Sequence, residues 1–421
     1  MDGLLLAVIA LVALALLFDF SNGFHDAANS IATVVATKAL PARAAVWFSA
    51  FFNFLAYFFV GTAVADTVAK TVKPGQATLA VVFAALLSAL VWNYATWFIG
   101  MPSSSSHAII GGLVGAGLAA GGLGAISWSS VQKVGLAIVL SPLVAFTVAA
   151  LGSVLVSGLQ RLTGWDDDAK PFKYLQLLSA AVVSFGHGAN DAQKTMGVIA
   201  ALLVASGHLS VIAGTGHLPV PEWVALSAYS AIALGTVWGG WRIIQTMGLK
   251  LTNLNARTGV AANIGATTAI FGATGLGIPI STTHAAASSV VGAGVASGRG
   301  ANWRVIRDMS IAWVSTIPAT AVLAWVFMEL TRLPQPYAAI TVTVVVVVVL
   351  SGIAWAMWKS MGHHEEVVKQ IQVEPTPLPT TRPIDQPAGA VQGEQPGPAA
   401  PAVVEDMLEP DQAAQPNANA A

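Results

Sequence analysis

Long apolar stretches constrain the fold of this chain more than any other feature. Eleven of them follow one another between residues 3 and 358, and most are close to 20 residues long. A helix of about 20 apolar residues spans the hydrocarbon core of a bilayer. Only 9% of the 421 residues are charged, against about 25% in an ordinary soluble domain, and the mean hydropathy is +0.70. The sequence therefore predicts an all-α polytopic membrane protein and argues against a cytosolic enzyme or a nucleic-acid binder.

Two of the apolar segments are too long for one straight crossing. The eleven segments are 3–40, 43–65, 77–100, 103–120, 131–159, 174–206, 222–247, 260–276, 279–298, 309–331 and 337–358. A polar, glycine-containing stretch interrupts the segments 3–40 and 174–206. A helix that breaks at membrane depth survives only where its freed backbone groups line a cavity in protein. We therefore expect broken or re-entrant helices at these two places.

The basic residues indicate how the chain is oriented. They cluster at Lys38/Arg43, at Arg161/Lys170/Lys173, at Lys250/Arg257 and at Arg299/Arg304/Arg307, whereas 121–130 and 207–222 contain no Lys or Arg. If each long segment crosses once, all four clusters lie on one side, which the positive-inside rule makes the cytoplasm. The sequence thus predicts eleven crossings of the cell inner (plasma) membrane, with the N-terminus outside and the C-terminal tail inside.

The charge balance changes near the end of the chain. Residues 1–360 carry 17 basic and 11 acidic residues, a net charge of +6, while residues 361–421 hold the other 9 acidic residues. A basic membrane domain suits an anionic solute. The tail, 361–421, is rich in Pro, Ala, Gln and Glu without apolar periodicity, so we predict that it is disordered. There is no cysteine, which excludes disulfides.

The chain contains an internal repeat. Residues 23–30 align with 188–195, and residues 100–108 align with 277–285, in the same order in both halves. Each half holds five apolar segments, and an odd number of crossings forces the second half to be inverted relative to the first. Inverted repeats with broken helices at matching positions are typical of secondary transporters. The predicted organisation is 1–160 as first inverted repeat, 161–173 as cytoplasmic linker, 174–331 as second repeat, 332–360 as a final transmembrane helix, and 361–421 as tail.

Two acidic residues occupy equivalent positions of the repeat, Asp26 and Asp191. Ionisable groups inside a membrane are costly and mark functional sites. With Asn29, Asn190 and His25, they form a candidate site for a coupling cation, either a proton or sodium. The alternative is a structural role, in which the two acids cap the broken helices.

The neighbours of these acids leave further alternatives open. His25 can shuttle a proton or simply orient Asp26, since its unperturbed pKa is near 6.5. Lys194 is best explained as a salt-bridge partner of a carboxylate. Asp19 aligns with Ser184 and has no acidic counterpart in the second half, so a functional and a structural role stay equally open.

Hydroxyl-rich runs follow a proline in both halves. They are Ser103, Ser104, Ser105 and Ser106 after Pro102, and Ser281, Thr282 and Thr283 after Pro279. Each run precedes an apolar, glycine-rich helical stretch, where hydroxyls cap the helix and free N–H groups can bind an anion. Two such helix ends brought together would cradle phosphate or sulfate. His107 and His284, just beyond the runs, are either structural or supporting residues of this site.

These motifs resemble those of the inorganic phosphate transporter (PiT) family, whose signature has the core Gly-Ala-Asn-Asp. The second copy reads Gly-Ala-Asn-Asp at 188–191, and the first reads Gly-Phe-His-Asp at 23–26, which is similar to the bacterial low-affinity branch. The resemblance covers about residues 3–358. It implies cation-coupled phosphate uptake by a homodimer, with Asp26, Asn29, Asn190, Asp191 and the hydroxyl runs lining the sites. Because family members differ in using protons or sodium, in carrying metal–phosphate complexes and in moving sulfate, the cation and the anion stay open.

The predicted function is a cation-coupled phosphate symporter and not an enzyme. Sulfate symport is the nearest alternative. A passive anion channel would use the same helix ends without coupling, and an intramembrane hydrolase would use Asp26 and Asp191 as a carboxylate pair. The sequence contains no Walker A, Rossmann or HExxH pattern, and one histidine with two acids is a poor zinc set. No cofactor and no metal site is therefore predicted; the expected partners are phosphate, the coupling cation, the lipid bilayer and a second copy.

Overall fold

The computed structural model describes residues 2–212 and 216–372, and these residues form an all-helical fold. The helices are α1 (Gly3–Ala36), α2 (Ala42–Leu55), α3 (Ala63–Ala69), α4 (Leu79–Ile99), α5 (Ser105–Gly121), α6 (Trp128–Thr163), α7 (Lys170–Ala205), α8 (Glu222–Trp238), α9 (Trp241–Gln245), α10 (Ala256–Gly275), α11 (Thr282–Ala296), α12 (Trp303–Thr331) and α13 (Tyr337–Gln372). Within the described ranges, the extended pairing is limited to one isolated bridge between Val72 and Ile126. The predicted all-α fold is confirmed.

The two acidic motifs lie inside unbroken helices. Helices α1 and α7 run for 34 and 36 residues through Asp26 and Asp191, so the breaks expected there are wrong. The glycines of the motifs serve close packing instead. A Cβ atom at Gly23 would collide with the backbone of α8, and one at Gly188 would collide with the backbone of α2. Since the acids are not at helix ends, the capping role considered for them is wrong as well.

The sharp changes of direction occur elsewhere in the chain. Helices α2 and α3, joined through a short 3-10 turn, form a pair bent by 88°. Gly100, at the end of α4, and Gly277, after α10, have left-handed φ angles of 71° and 66°, a conformation that glycine adopts without strain. They let the chain turn back just before the hydroxyl-rich starts of α5 and α11.

The number of helices that are long and apolar enough to span a membrane is smaller than the eleven crossings predicted. Among the described residues, six do: α1, α4, α5 with its following turn, α6, α12, and 337–361 of α13; the bent pair α2–α3 would be a seventh. Helices α8 and α11 have only 17 and 15 residues, and α7 carries the polar motif side chains on its buried face. Helices buried among other helices need less apolar surface, so the number of crossings stays a prediction.

The two halves of the chain interlock. Helix α5 packs against α4 and against α12 from the second half, and the repeat-equivalent α11 packs against α10 and against α6 from the first half. In the same manner, α1 contacts α8 and α7 contacts α2. Each half therefore supplies helices to the packing of the other. The inversion of one half relative to the other stays a prediction.

Arginines from two of the basic clusters, Arg257 and Arg299, meet on one acidic residue, Asp167, in the turn between α6 and α7. Its carboxylate accepts from Arg257 Nε at 2.9 Å and from Arg299 Nη2 at 2.6 Å. Partial burial acts to raise the pKa of Asp167, but hydrogen bonds from Gln160, Arg257 and Arg299, together with the charge of Arg257, hold that pKa below its usual value. The ion pairs are thus intact at neutral pH and are lost as the pH falls through the lowered pKa.

The predicted boundaries near the linker and the tail differ from the helix ends. Helix α6 ends at Thr163 and α7 begins at Lys170, so the linker predicted at 161–173 is partly helical. Helix α13 continues to Gln372, past the predicted end of the last transmembrane helix at 360. The tail predicted from 361 otherwise lies outside the described residues.

Tight helix crossings at two repeat-equivalent glycines give a first testable prediction. A Cβ atom at Gly115 of α5 would collide with the backbone of Ala321 on α12, and one at Gly292 of α11 with that of Phe146 on α6. Because overpacking typically costs about 1–3 kcal/mol, Gly115→Ala and Gly292→Ala should each lower the melting temperature of the purified protein in detergent. Gly158→Ala, where nothing lies within 4 Å of the added Cβ, is the matched control. Wild-type melting temperatures in both test variants would contradict the packing account.

Candidate functional site

The candidate site lies between the middles of α1 and α7 and the first turns of α5 and α11. The motif residues 22–35 and 186–203 are buried, as are the first turns of α5 and α11. Since both motifs are helical, residues three or four positions apart share a face. Asp26 and Asn29 therefore point the same way from α1, and Asp191 and Lys194 point the same way from α7.

Asp26 is surrounded by hydrogen-bonding side chains from three helices. Its Oδ1 lies 3.0 Å from His25 Nδ1 and accepts from Thr283 Oγ1 at 3.0 Å. Its Oδ2 accepts from Ser105 Oγ at 2.9 Å and lies 3.5 Å from Thr282 Oγ1. Hydroxyls from both predicted anion-binding runs thus satisfy the acid of α1.

Asp191 is compensated by a buried lysine as well as by neutral donors. Lys194 Nζ donates to its Oδ1 at 2.5 Å, and both side chains are almost fully buried. Its Oδ2 accepts from Thr282 Oγ1 at 3.2 Å and from Asn22 Nδ2 at 3.4 Å, and lies 3.5 Å from His187 Nε2. The salt bridge expected for Lys194 is present.

Thr282 joins the two acids into one cluster. Its hydroxyl contacts both Asp26 and Asp191, and it accepts from Asn29 Nδ2 at 3.2 Å. Asn29 Nδ2 also lies 3.1 Å from Thr283 Oγ1, while its Oδ1 has no partner among the described residues. We call Asp26, Asp191, Asn29 and Thr282, with the side chains that contact them, the acid cluster.

The seven predicted hydroxyls divide into three groups. Ser104 and Ser281 cap α5 and α11 by accepting from the backbone N–H of His107 and His284. Ser105, Thr282 and Thr283 contact the acids directly. Ser103 contacts His25 and Thr96, and Ser106 accepts from Lys194 and donates to the Ile280 carbonyl. The predicted runs therefore reach the acids, but two of their members serve the helix starts.

The starts of α5 and α11 lie side by side. The rings of His107 and His284 pack edge to face with centroids 4.5 Å apart, and His284 also packs on Trp313. His107 Nδ1 and His284 Nε2 have no hydrogen-bond partner among the described residues. The contact between their rings, and the capping of their own backbone N–H groups by Ser104 and Ser281, support the structural alternative for both.

Among the five residues predicted for the cation site, Asn190 is the one that the structure does not bring into the acid cluster. Its Nδ2 donates to Thr274 Oγ1 at 2.9 Å and to the Ile278 carbonyl at 3.3 Å, and its Oδ1 accepts from the Ile280 N–H. Asn190 thus fixes the turn that leads into α11. One helical position away from Asp191, it points to a different side of α7.

Two residues of the cluster were missed at the sequence level, His187 and Asn22. His187 lies one turn before Asp191 on α7 and contacts Asn53 through Nδ1 at 3.1 Å. Asn22 lies one turn before Asp26 on α1 and accepts from Ser105 at 2.5 Å. Their i,i+4 spacing to the two acids was the available signal, but the expected helix breaks hid it.

The acid cluster has the donor set for a small cation. One ligand atom each of Asp26, His187 and Asp191 lies within 4.8 Å of the others, and all three residues are buried. Carboxylate and hydroxyl oxygens suit hard cations, and the imidazole nitrogen also suits transition metals. The cluster can equally hold a proton shared among carboxylate, imidazole and hydroxyl groups.

Helices of both halves contribute ionisable groups to one buried site inside a multi-pass helical bundle. This arrangement defines the class of a membrane transporter. A family model described as "Phosphate transporter family" matches residues 22–165 and 163–324. The chain belongs to this family.

Named relatives agree with the family assignment. The chain is 48% identical over 320 residues, 75% of this chain and 94% of the relative, to the "Probable low-affinity inorganic phosphate transporter" of Rhizobium meliloti (strain 1021). It is 42% identical to the Bacillus subtilis (strain 168) protein of the same name, covering 77% of this chain and 96% of that one. A solved structure titled "The sodium-dependent phosphate transporter" has the same fold, with a TM-score of 0.68 and 24% identity over 77% of this chain and 99% of that one.

The buried Lys194–Asp191 pair gives a second prediction, on stability. Lys194→Met leaves Asp191 as an uncompensated buried charge, which typically costs about 3–5 kcal/mol, and should strongly lower the melting temperature. The double variant Lys194→Met/Asp191→Asn removes both charges and should recover part of the loss. Lys70→Met breaks the partly exposed pair with Asp66 and should cost less than about 1 kcal/mol. If the double variant is as unstable as Lys194→Met alone, the ion-pair explanation is wrong.

Proposed function

We propose that this protein is a cation-coupled symporter that imports inorganic phosphate, with a proton or sodium as the coupling cation. The observation that carries the proposal is the contact of the Thr282 hydroxyl with both Asp26 and Asp191. Through it, the acids of both halves and the start of α11 form one buried cluster. The named relatives support phosphate as the solute.

Electrostatics explains why such a cluster would couple the two solutes. Two acids, Asp26 and Asp191, face one directly paired lysine, since Lys194 pairs with Asp191. A phosphate entering this buried region would meet net negative charge at short range, where Coulomb interactions are strong. A cation bound between the acids removes that repulsion. Phosphate binding should therefore require prior or simultaneous cation binding.

Hydrogen bonding supplies a second link between the two solutes. In this structure Ser105, Thr282 and Thr283 direct their hydroxyls at the carboxylates. A cation that takes over the carboxylate oxygens would release these hydroxyls as donors. They would then join the free N–H groups at the starts of α5 and α11, where a helix end favours an anion. The proposed anion site and cation site thus lie next to each other and share these hydroxyls, which bind the carboxylates when no cation is present and the anion when a cation is bound.

The same geometry allows variants of this function. The carboxylate–imidazole set of Asp26, His187 and Asp191 would accept the metal of a metal–phosphate complex. Sulfate symport and passive anion conduction are the alternatives. Sulfate would compete with labelled phosphate for uptake if it were the better solute, and passive conduction would ignore the cation gradient. Assembly as a homodimer, implied by the family resemblance, stays a prediction.

The third prediction concerns the two acids. Asp26→Asn and Asp191→Asn keep side-chain size but remove the charge that would bind the coupling cation, so each should abolish phosphate uptake into proteoliposomes. Asp308→Asn, an exposed acid paired with Arg307, is the matched control and should retain uptake. Folding is checked by size-exclusion profile. Wild-type uptake rates in both cluster variants would show that these acids have no coupling role.

The fourth prediction concerns the hydroxyls that contact the acids. Ser105→Ala with Thr282→Ala removes two donors, each worth about 1 kcal/mol, so the phosphate concentration for half-maximal uptake should rise about tenfold or more, at about 1.4 kcal/mol per decade. Ser129→Ala with Thr163→Ala, both exposed, is the control. A half-maximal concentration within about twofold of wild type, less than about 0.5 kcal/mol, would contradict the anion site.

A further inference from the structure

Asp19 is a buried acid on α1 that takes no part in the acid cluster. Its side chain is fully buried, and neither carboxylate oxygen has a hydrogen-bond partner among the described residues. Asp26 and Asp191, in contrast, each contact several donors. An unpaired charge buried away from water is far more costly than a neutral buried carboxyl group. Asp19 is therefore best accommodated with a proton.

The groups around Asp19 come from two neighbouring helices. The charged groups that act on it are Asp191 and Lys194 of α7, and the titratable neighbour on α8 is Tyr229. Lys194 already donates hydrogen bonds to Asp191 and Ser106. Its positive charge therefore compensates the acid cluster and is only partly available to Asp19.

The polar side chains near Asp19 also leave its carboxylate oxygens without a hydrogen bond among the described residues. Thr195 and Asn22 are the polar side chains that influence its carboxyl. The hydroxyls of Thr195 and Tyr229 themselves have no hydrogen-bond partner among the described residues. These hydroxyls can donate to, or accept from, a protonated carboxyl group. A proton on Asp19 would turn a buried charge into a neutral group and add one donor beside these hydroxyls.

Close packing of α1 against α8 favours a proton over a metal cation at this place. A Cβ atom at Gly23 would collide with the Ile232 carbonyl, and one at Gly235 with the Phe20 carbonyl. The two backbones therefore touch beside Asp19, which leaves little room for a hydration shell. A metal cation needs several oxygen ligands, whereas a proton needs one oxygen and no additional space.

We propose that Asp19 is a proton-binding site, separate from the acid cluster, whose proton moves with phosphate during transport. Asp19 lies seven residues before Asp26 on the same face of α1, about 10 Å along the helix axis. Lys194 acts on both Asp19 and Asp191, so a change in its pairing with Asp191 alters how firmly Asp19 holds the proton. The movement with phosphate rests on the proposed function; the protonation of Asp19 does not.

Infrared spectroscopy of the full-length protein in lipid tests the protonation without any transport. Wild-type protein at neutral pH should show the C=O absorption of a buried, protonated carboxyl group. The absorption should disappear in Asp19→Asn and persist in Asp308→Asn. If Asp19→Asn does not fold, Asp19→Ser, which copies the residue at the repeat-equivalent position 184, replaces it. An unchanged absorption in the variant would overturn the proposal.

Proton movement is tested in proteoliposomes with an entrapped pH indicator and labelled phosphate. Asp19→Asn should reduce the number of protons moved per phosphate at least about tenfold, while exchange of labelled phosphate across the membrane continues. Ser184→Ala is the matched control and should keep the wild-type proton movement. Equal proton movement in Asp19→Asn and wild type would overturn the coupling role. If wild-type protein moves no phosphate, the proposed function fails, and the infrared result still decides whether Asp19 is a proton site.

Discussion

Two carboxylates buried inside a helical membrane domain must be compensated, and the arrangement of the surrounding helices follows from that requirement. Asp26 and Asp191 are satisfied by side chains from α1, α5, α7 and α11. Each acid has donors from its own half and one or more from the other: Thr283 donates to Asp26, and Asn22 donates to Asp191. Leaving a buried charge or polar group without partners costs several kcal/mol, so the contacts of the acid cluster help to hold the two halves together.

The packing around the cluster depends on glycine and on helix caps. Gly23 and Gly188 allow α1 and α7 to approach α8 and α2 closely, which positions the acids without breaking their helices. Ser104 and Ser281 cap α5 and α11, so that the residues one or two positions later face the acids. The same short motifs thus specify both the close crossings and the direction of the hydroxyls.

The sequence predicted some of these features for sound physical reasons and missed others. The all-helical fold followed from the apolar segments. The duplicated motifs singled out the acids and the hydroxyl runs, but as a cation site and an anion site, and did not predict that Ser105 and Thr282 contact Asp26. The continuity of α1 and α7 could not be predicted, because glycine and polar residues suggest a break unless the neighbouring helices that accommodate them are known. The direction of Asn190 depends likewise on the turn before α11, which no local pattern encodes.

Coupling in this account is a reciprocal free energy between two adjacent sites, since a bound cation removes the repulsion that phosphate meets and a bound phosphate adds attraction for the cation. The most direct measurement is equilibrium binding of labelled phosphate to the purified protein, at several sodium concentrations at fixed pH and at several pH values without sodium. The account predicts that one of the two cations tightens phosphate binding, and that phosphate tightens binding of that cation by the same factor. Phosphate affinity independent of both cations would contradict it.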